Sequence, residues 1–254
     1  MRKLILIISI ITSLFVKGQD CGSFTINHDD ANGVAPVDKT VTYGTATNVA
    51  GEIYKCWITK NLGASSQGSS VSDATEASSG WYWQFNRKQG YKHDGTTRTP
   101  NSTWITSIVE DAQWALTDDP CRLELGGGWR IPTNSEWVNV DAAGSWATWT
   151  DAYNSSLKLH AGGWLAPTNG AITNRGSNGI WHRSTQSSTT LSVWYRIYSG
   201  FAGTNGGTKM YAATLRCIKD ISVKKVNTID FPTSSKINNV QVNLTNKING
   251  VSTK

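Results

Sequence analysis

The residues of this chain best suited to chemistry are aromatic side chains set beside cations. Trp181-His182-Arg183 and Trp194-Tyr195-Arg196 are two such groups, and Trp164 follows the flexible run Ala161-Gly162-Gly163. An indole or phenol face stacks on a sugar ring or a cation, and a guanidinium beside it pairs with acidic groups. These six positions, Trp164, Trp181, His182, Arg183, Trp194 and Arg196, are the candidate ligand-binding residues. The opposing reading is that aromatic side chains fill a core. Trp129 and Trp137 are read that way, and Trp57, Trp81 and Trp83 as core or its edge.

Other chemistry finds less support. The strings for zinc proteases, nucleophile elbows, P-loops and EF-hands do not occur. No cofactor, catalytic residue or metal ligand is assigned, and the chain is expected not to be an enzyme. Asp118, Asp119 and Glu124 offer the oxygen ligands that calcium takes. The simpler reading has Asp118 and Asp119 end a helix and shape a turn before Pro120. The four histidines are scattered, and His160 is read as a packed residue rather than a ligand.

Charge excludes one partner class. The chain holds 24 Lys+Arg and 18 Asp+Glu. Three of the basic residues precede residue 19, and six lysines with two acids follow residue 218. Residues 19–218 therefore carry 15 basic and 16 acidic groups, without the clustered positive charge that neutralises phosphates. Nucleic acid is not an expected partner. Arg2 and Lys3 precede an apolar run over residues 4–16, the pattern of a secretory signal peptide cleaved after Gly18. Gln19 and Asp20 argue against lipidation of Cys21. No later segment is long and apolar enough to span a bilayer. Four cysteines in an exported chain read as two disulfides, for which three pairings are open.

Few elements are available to position these residues. Thr133 and Glu136 form a capping box, Trp137, Val138 and Val140 supply apolar positions, and Gly144 stops the helix. A second helix is expected over residues 109–116, capped through Ser107 and Glu110. Residues 51–58, 193–198 and 215–218 read as strands. In 193–198, alternation puts Val193, Tyr195 and Ile197 on one face and Trp194, Arg196 and Tyr198 on the other. Residues 63–80, 86–103, 167–179 and 199–209 read as long loops. The composition is that of an α+β fold with short strands and about two helices. Residues 221–254 lack Trp and read as a weakly ordered or accessory β tail.

The chain resembles the Fibrobacter succinogenes major paralogous domain family (FISUMP) of exported bacterial proteins. The resemblance runs in order through Tyr54-Lys55-Cys56-Trp57-Ile58-Thr59-Lys60-Asn61-Leu62, Trp81-Tyr82-Trp83-Gln84-Phe85-Asn86-Arg87 and Asp118-Asp119-Pro120-Cys121. It continues through Gly128-Trp129-Arg130-Ile131-Pro132-Thr133-Asn134-Ser135-Glu136-Trp137, Leu157-Lys158-Leu159, Ala161-Gly162-Gly163-Trp164 and Asn174-Arg175-Gly176-Ser177-Asn178-Gly179. It closes at Trp194-Tyr195-Arg196 and Leu215-Arg216-Cys217. It implies a C-type-lectin-like fold of the formylglycine-generating-enzyme kind over residues 19–220, with a Cys121–Cys217 disulfide. That pairing leaves Cys21–Cys56. The chain departs from the family at His182-Arg183-Ser184-Thr185, where Trp-Ser-Ser-Thr is usual, and at Cys56, where an apolar residue is usual. The redox cysteine pair of the enzymes and the sugar-binding calcium strings of the lectins are missing. The expectation is a secreted or cell-surface, non-catalytic recognition module that binds a glycan or an extracellular protein. The alternative is a structural component of an extracellular assembly or homo-oligomer, with the tail as attachment.

Overall fold

The structure is a computed structural model that describes residues 21–221, 235–237 and 240–242. The expected signal peptide and most of the expected tail lie outside these residues. The described part is mixed and strand-rich, an α+β architecture of short antiparallel strands with four α-helices. Among the described residues no helix is long and apolar enough to cross a membrane.

The chain opens with a hairpin of β1 (Phe24–His28) and β2 (Lys39–Tyr43), followed by β3 (Thr45–Ala46) and β4 (Lys55–Ile58). After α1 (Glu76–Ser79) come β5 (Tyr82–Gln84), β6 (Gly90–His93) and β7 (Arg98–Thr99). Next are α2 (Pro120–Leu125), β8 (Trp129–Arg130), α3 (Asn134–Gly144) and α4 (Trp149–Asn154). The last part holds β9 (Trp164–Leu165), β10 (Ile172–Thr173), β11 (Asn178–Gln186), β12 (Leu191–Tyr198), β13 (Phe201–Thr208), β14 (Ala212–Ala213) and β15 (Ile218–Asp220). Beside the β1-β2 hairpin, three larger sheets result, ordered β3-β4-β15-β8, β10-β9-β14-β5-β6-β7 and β11-β12-β13. Residues 223–254 form a separate unit in which β16 (Ser235–Ile237) pairs with β17 (Val240–Val242).

The helix α3 forms where the capping box places it. Thr133 Oγ1 accepts from the Glu136 N–H at 3.3 Å, and Glu136 Oε2 accepts from the Thr133 N–H at 2.8 Å. Arg130 forks onto the same carboxylate at 2.8 and 2.5 Å. Burial alone would raise the Glu136 carboxyl, but Arg130 and the Thr133 N–H hold it down at about 2. Trp137 and Val140 are buried and Val138 faces out. The buried side of α3 meets the three-stranded sheet, where Trp137 stacks on Tyr195 at 4.9 Å and meets Trp57 edge-on at 5.2 Å.

Both disulfides pair as the resemblance implied, Cys121–Cys217 and Cys21–Cys56. Their loops span 96 and 35 residues, so each cross-link lowers the entropy of the unfolded chain by an amount worth about 4–5 kcal/mol in the loop-entropy model. Two disulfides are compatible with an extracellular location.

Two expected elements are corrected. Residues 109–116 are not a helix but an extended strap. The N–H groups of Glu110, Ala112 and Trp114 donate to Thr189 O, Gln186 Oε1 and Ser184 O. Alternate residues thus bond sideways to the β11–β12 hairpin, and these bonds replace the helical ladder. The helix begins later, and Asp119 starts it rather than ending one, its carboxylate accepting from the N–H groups of Cys121 and Arg122. The second correction is residues 199–209, which are mostly the strand β13 in register with all of β12. Its glycines hide a strand from propensity but have a packing reason. A Cβ on Gly207 would lie 2.3 Å from the Trp194 ring, and one on Gly206 2.8 Å from Ser192 O.

Candidate functional site

The three-stranded sheet holds five of the six candidate residues and divides them. Trp181, His182 and Arg183 lie on β11 and are fully buried, which corrects the expectation that they face a ligand. The physical cause is cover on every side. One edge of β11 pairs with β12, and the other is closed by a parallel bridge from Trp181 to Thr214, with the His182 N–H donating to Thr214 O. Trp181 packs against Trp137 and Tyr195, and its Nε1 donates to Asn61 Oδ1 at 2.8 Å. The His182 ring lies between Phe85 and Trp114, and its Nε2 bonds Trp83 O at 2.7 Å. Burial lowers its pKa to about 4, so the ring is neutral. Arg183 donates to Asn134 Oδ1 and to Thr204 Oγ1 and lies over the Tyr195 ring. Burial lowers its pKa to about 10, which leaves it charged at neutral pH.

Trp164, Trp194 and Arg196 come together instead. They line a groove of about 360 Å³ with Tyr211, Asn205 and the backbone of Gly206 and Gly207. Trp194 is 6% exposed and serves as a wall, its Nε1 donating to Ser192 Oγ. Tyr211 meets it edge-on at 5.1 Å and meets Trp164 at 6.4 Å. Trp164 and Tyr211 are both half-buried. Arg196 sits 5.6 Å from the Trp164 ring and 5.0 Å from that of Tyr198. Its Nε and Nη2 both donate to Asn178 Oδ1, at 3.2 and 2.8 Å, which fixes the guanidinium plane. This groove can hold a ring on aromatic surface and meet its polar groups with a guanidinium and an amide.

A second cleft, of about 430 Å³, runs past Trp114, Leu116, Asp119 and Arg130. Its charges are already used. Asp119 accepts from the N–H groups of Cys121, Arg122 and Ile131, and Arg130 pairs with Glu136. Of the residues considered for calcium, Asp119 is occupied by those N–H groups and Glu124 Oε2 is engaged with His28 Nδ1.

Sequence reading missed Tyr211 and Asn205. Asn205 lies on the strand that the glycines conceal, and Tyr211 in the turn between β13 and β14. It also missed a buried polar hub, in which Asn61 accepts from both Trp181 and Arg216 and donates to Ser79 O. His160 is packed, as expected, and burial lowers its pKa to about 4. Comparison with family models, with curated proteins and with solved structures finds no match.

Proposed function

We propose that this chain is a non-catalytic recognition module, working outside the cell and binding a glycan or an extracellular protein through the groove of Trp164, Trp194, Arg196 and Tyr211. The observation that carries this reading is the convergence there of half-buried aromatic rings, a guanidinium and a carboxamide, on a rigid sheet. Rings held this way lose little freedom when a ligand packs against them. The disulfide pairing and the Gly-Trp-Arg-Ile-Pro-Thr strand that feeds the capped helix support a FISUMP-like domain of the C-type-lectin-like class.

The test is a binding screen of immobilised glycans and extracellular proteins with the wild type and with Trp164→Ala. A ligand held by the wild type and lost in the variant, with the variant still folded, supports the groove. A ligand bound equally by both removes the groove from recognition.

A further inference from the structure

We infer that the groove selects an acidic sugar, with a uronate carboxylate on Arg196 and the sugar ring against Trp164 and Tyr211. The inference rests on the recognition reading above and names its ligand class.

Arg196 is the charged side chain of the groove, and no carboxylate is among the lining residues. Among the described residues no Asp or Glu lies within ion-pair distance of it. The arginines Arg87 and Arg130 differ, each holding a glutamate at 3.1 Å or less. Arg183 and Arg216 also lack an acid but are closed off in the interior, and Arg98, Arg122 and Arg175, likewise without an acid at ion-pair distance, do not line the groove, in which Arg196 is partly exposed.

The geometry favours a planar anion. Asn178 Oδ1 takes Nε and one Nη2 hydrogen and draws no negative charge to the site. No described residue accepts from Nη1. A guanidinium keeps its full charge and offers parallel donors that match a carboxylate. The Trp164 and Tyr198 rings both contact the guanidinium, at 5.6 and 5.0 Å, so little side-chain entropy remains to be lost when an anion arrives. The aromatic rings supply the reason for a sugar rather than a bare acid, because pyranose C–H faces pack on indole and phenol. Asn205, beside the glycines of β13, offers an amide for sugar hydroxyls.

The test is calorimetric titration of the purified chain with oligogalacturonate and oligoglucuronate, with their methyl esters, and with neutral and sulfated oligosaccharides of equal length. The methyl ester keeps the ring and removes the charge. The acids should bind roughly tenfold or more tightly than their esters, as a charge-assisted pair does. Arg196→Gln should abolish that preference, and Arg196→Lys should keep part of it. Each variant is checked for a wild-type thermal midpoint, and the lysine variant carries the test if the glutamine variant does not fold. Equal affinity for acids and esters, with binding lost in Trp164→Ala, overturns the acidic preference and leaves the recognition reading standing. Preference for the sulfated sugars overturns the carboxylate assignment. If none of the sugars binds, the acidic-sugar inference falls, and only a protein partner then keeps the recognition reading.

Discussion

Two neighbouring strands carry the same short pattern, Trp-x-Arg, and put it to opposite uses. On β11 it is Trp181 and Arg183; on β12 it is Trp194 and Arg196. Because Trp181 stands opposite Tyr195 and His182 opposite Trp194, the two patterns point to opposite faces of one sheet. The face with Trp181 and Arg183 is covered by α3, and there the tryptophan becomes core and the arginine a buried donor. The face with Trp194 and Arg196 is covered only in part, by Tyr211 and β14, and a groove remains. Residue type and spacing do not separate a groove-lining residue from a core residue. Cover does.

The sharpest way to break this comparison is to truncate one tryptophan from each face. Trp181→Ala should cost about 3–5 kcal/mol in urea unfolding, and Trp137→Ala a similar amount, since both rings are fully buried. Trp164→Ala should cost less, about 1–2 kcal/mol, because its partly exposed ring packs on one side only of its cluster and leaves no closed cavity. Equal losses for Trp181 and Trp164 would mean that the faces are not covered differently. The buried assignment also reverses a natural expectation for the pair Trp181→Ala with Arg183→Ala. This double variant should lose stability heavily rather than lose a ligand at a constant midpoint.

Acid should act on the buried histidines next. His160 and His182 have folded pKa values near 4, below the ordinary value of 6.5, because burial disfavours the imidazolium. Above pH 6.5 both states are neutral and nothing is lost. As pH falls from 6.5 to 4 the unfolded chain takes up protons that the folded chain refuses, so stability drops, by up to about 3 kcal/mol per histidine. Glu136 adds a second window. Its folded pKa near 2 lies below the ordinary 4.5, so its contribution is complete above pH 4.5 and is lost towards pH 2. Urea midpoints measured from pH 7 to pH 3 should fall from 6.5 downward. Asp119 acts the other way, since burial raises its carboxyl to about 6 and the folded state gains a proton there over the same window, so the difference between wild type and His182→Phe isolates the histidine. Replacing His182 with Phe should flatten part of that first window.

The smallest expected effect is at the helix that provides the cover. Thr133→Ala should cost about 1 kcal/mol through loss of the N-cap bond, and thermal unfolding at neutral pH checks it. Ligand binding in the groove should be unchanged, because α3 packs on the other face. A loss of binding in Thr133→Ala would show that the two faces are coupled.

Much of the framework was legible. The α+β class followed from short β-branched runs with a single strong capping signal, and α3 began where Thr133 and Glu136 placed it, while Gly144 is its last residue and Ser145, not the glycine, takes the left-handed cap. The alternation in residues 193–198 separated Tyr195 and Ile197 from Trp194 and Arg196 as it does in β12. These are local properties, set by backbone hydrogen bonding and by side-chain direction within a few residues. What failed also failed for local reasons. Ser107 and Glu110 imitate a capping box, but the N–H groups of Glu110, Ala112 and Trp114 take partners 70 or more positions away in the chain. The glycines of β13 look like a loop because their use, room for the Trp194 ring, lies in another strand.

The sequence alone determined the cap of α3, the alternation of β12 and the types of residue available for recognition, since each depends on neighbours along the chain. Only the tertiary structure decided that Trp181, His182 and Arg183 are interior and that Trp164, Trp194, Arg196 and Tyr211 share a groove. Those outcomes depend on which element lies over which sheet face, and on long-range packing that no short window of sequence contains.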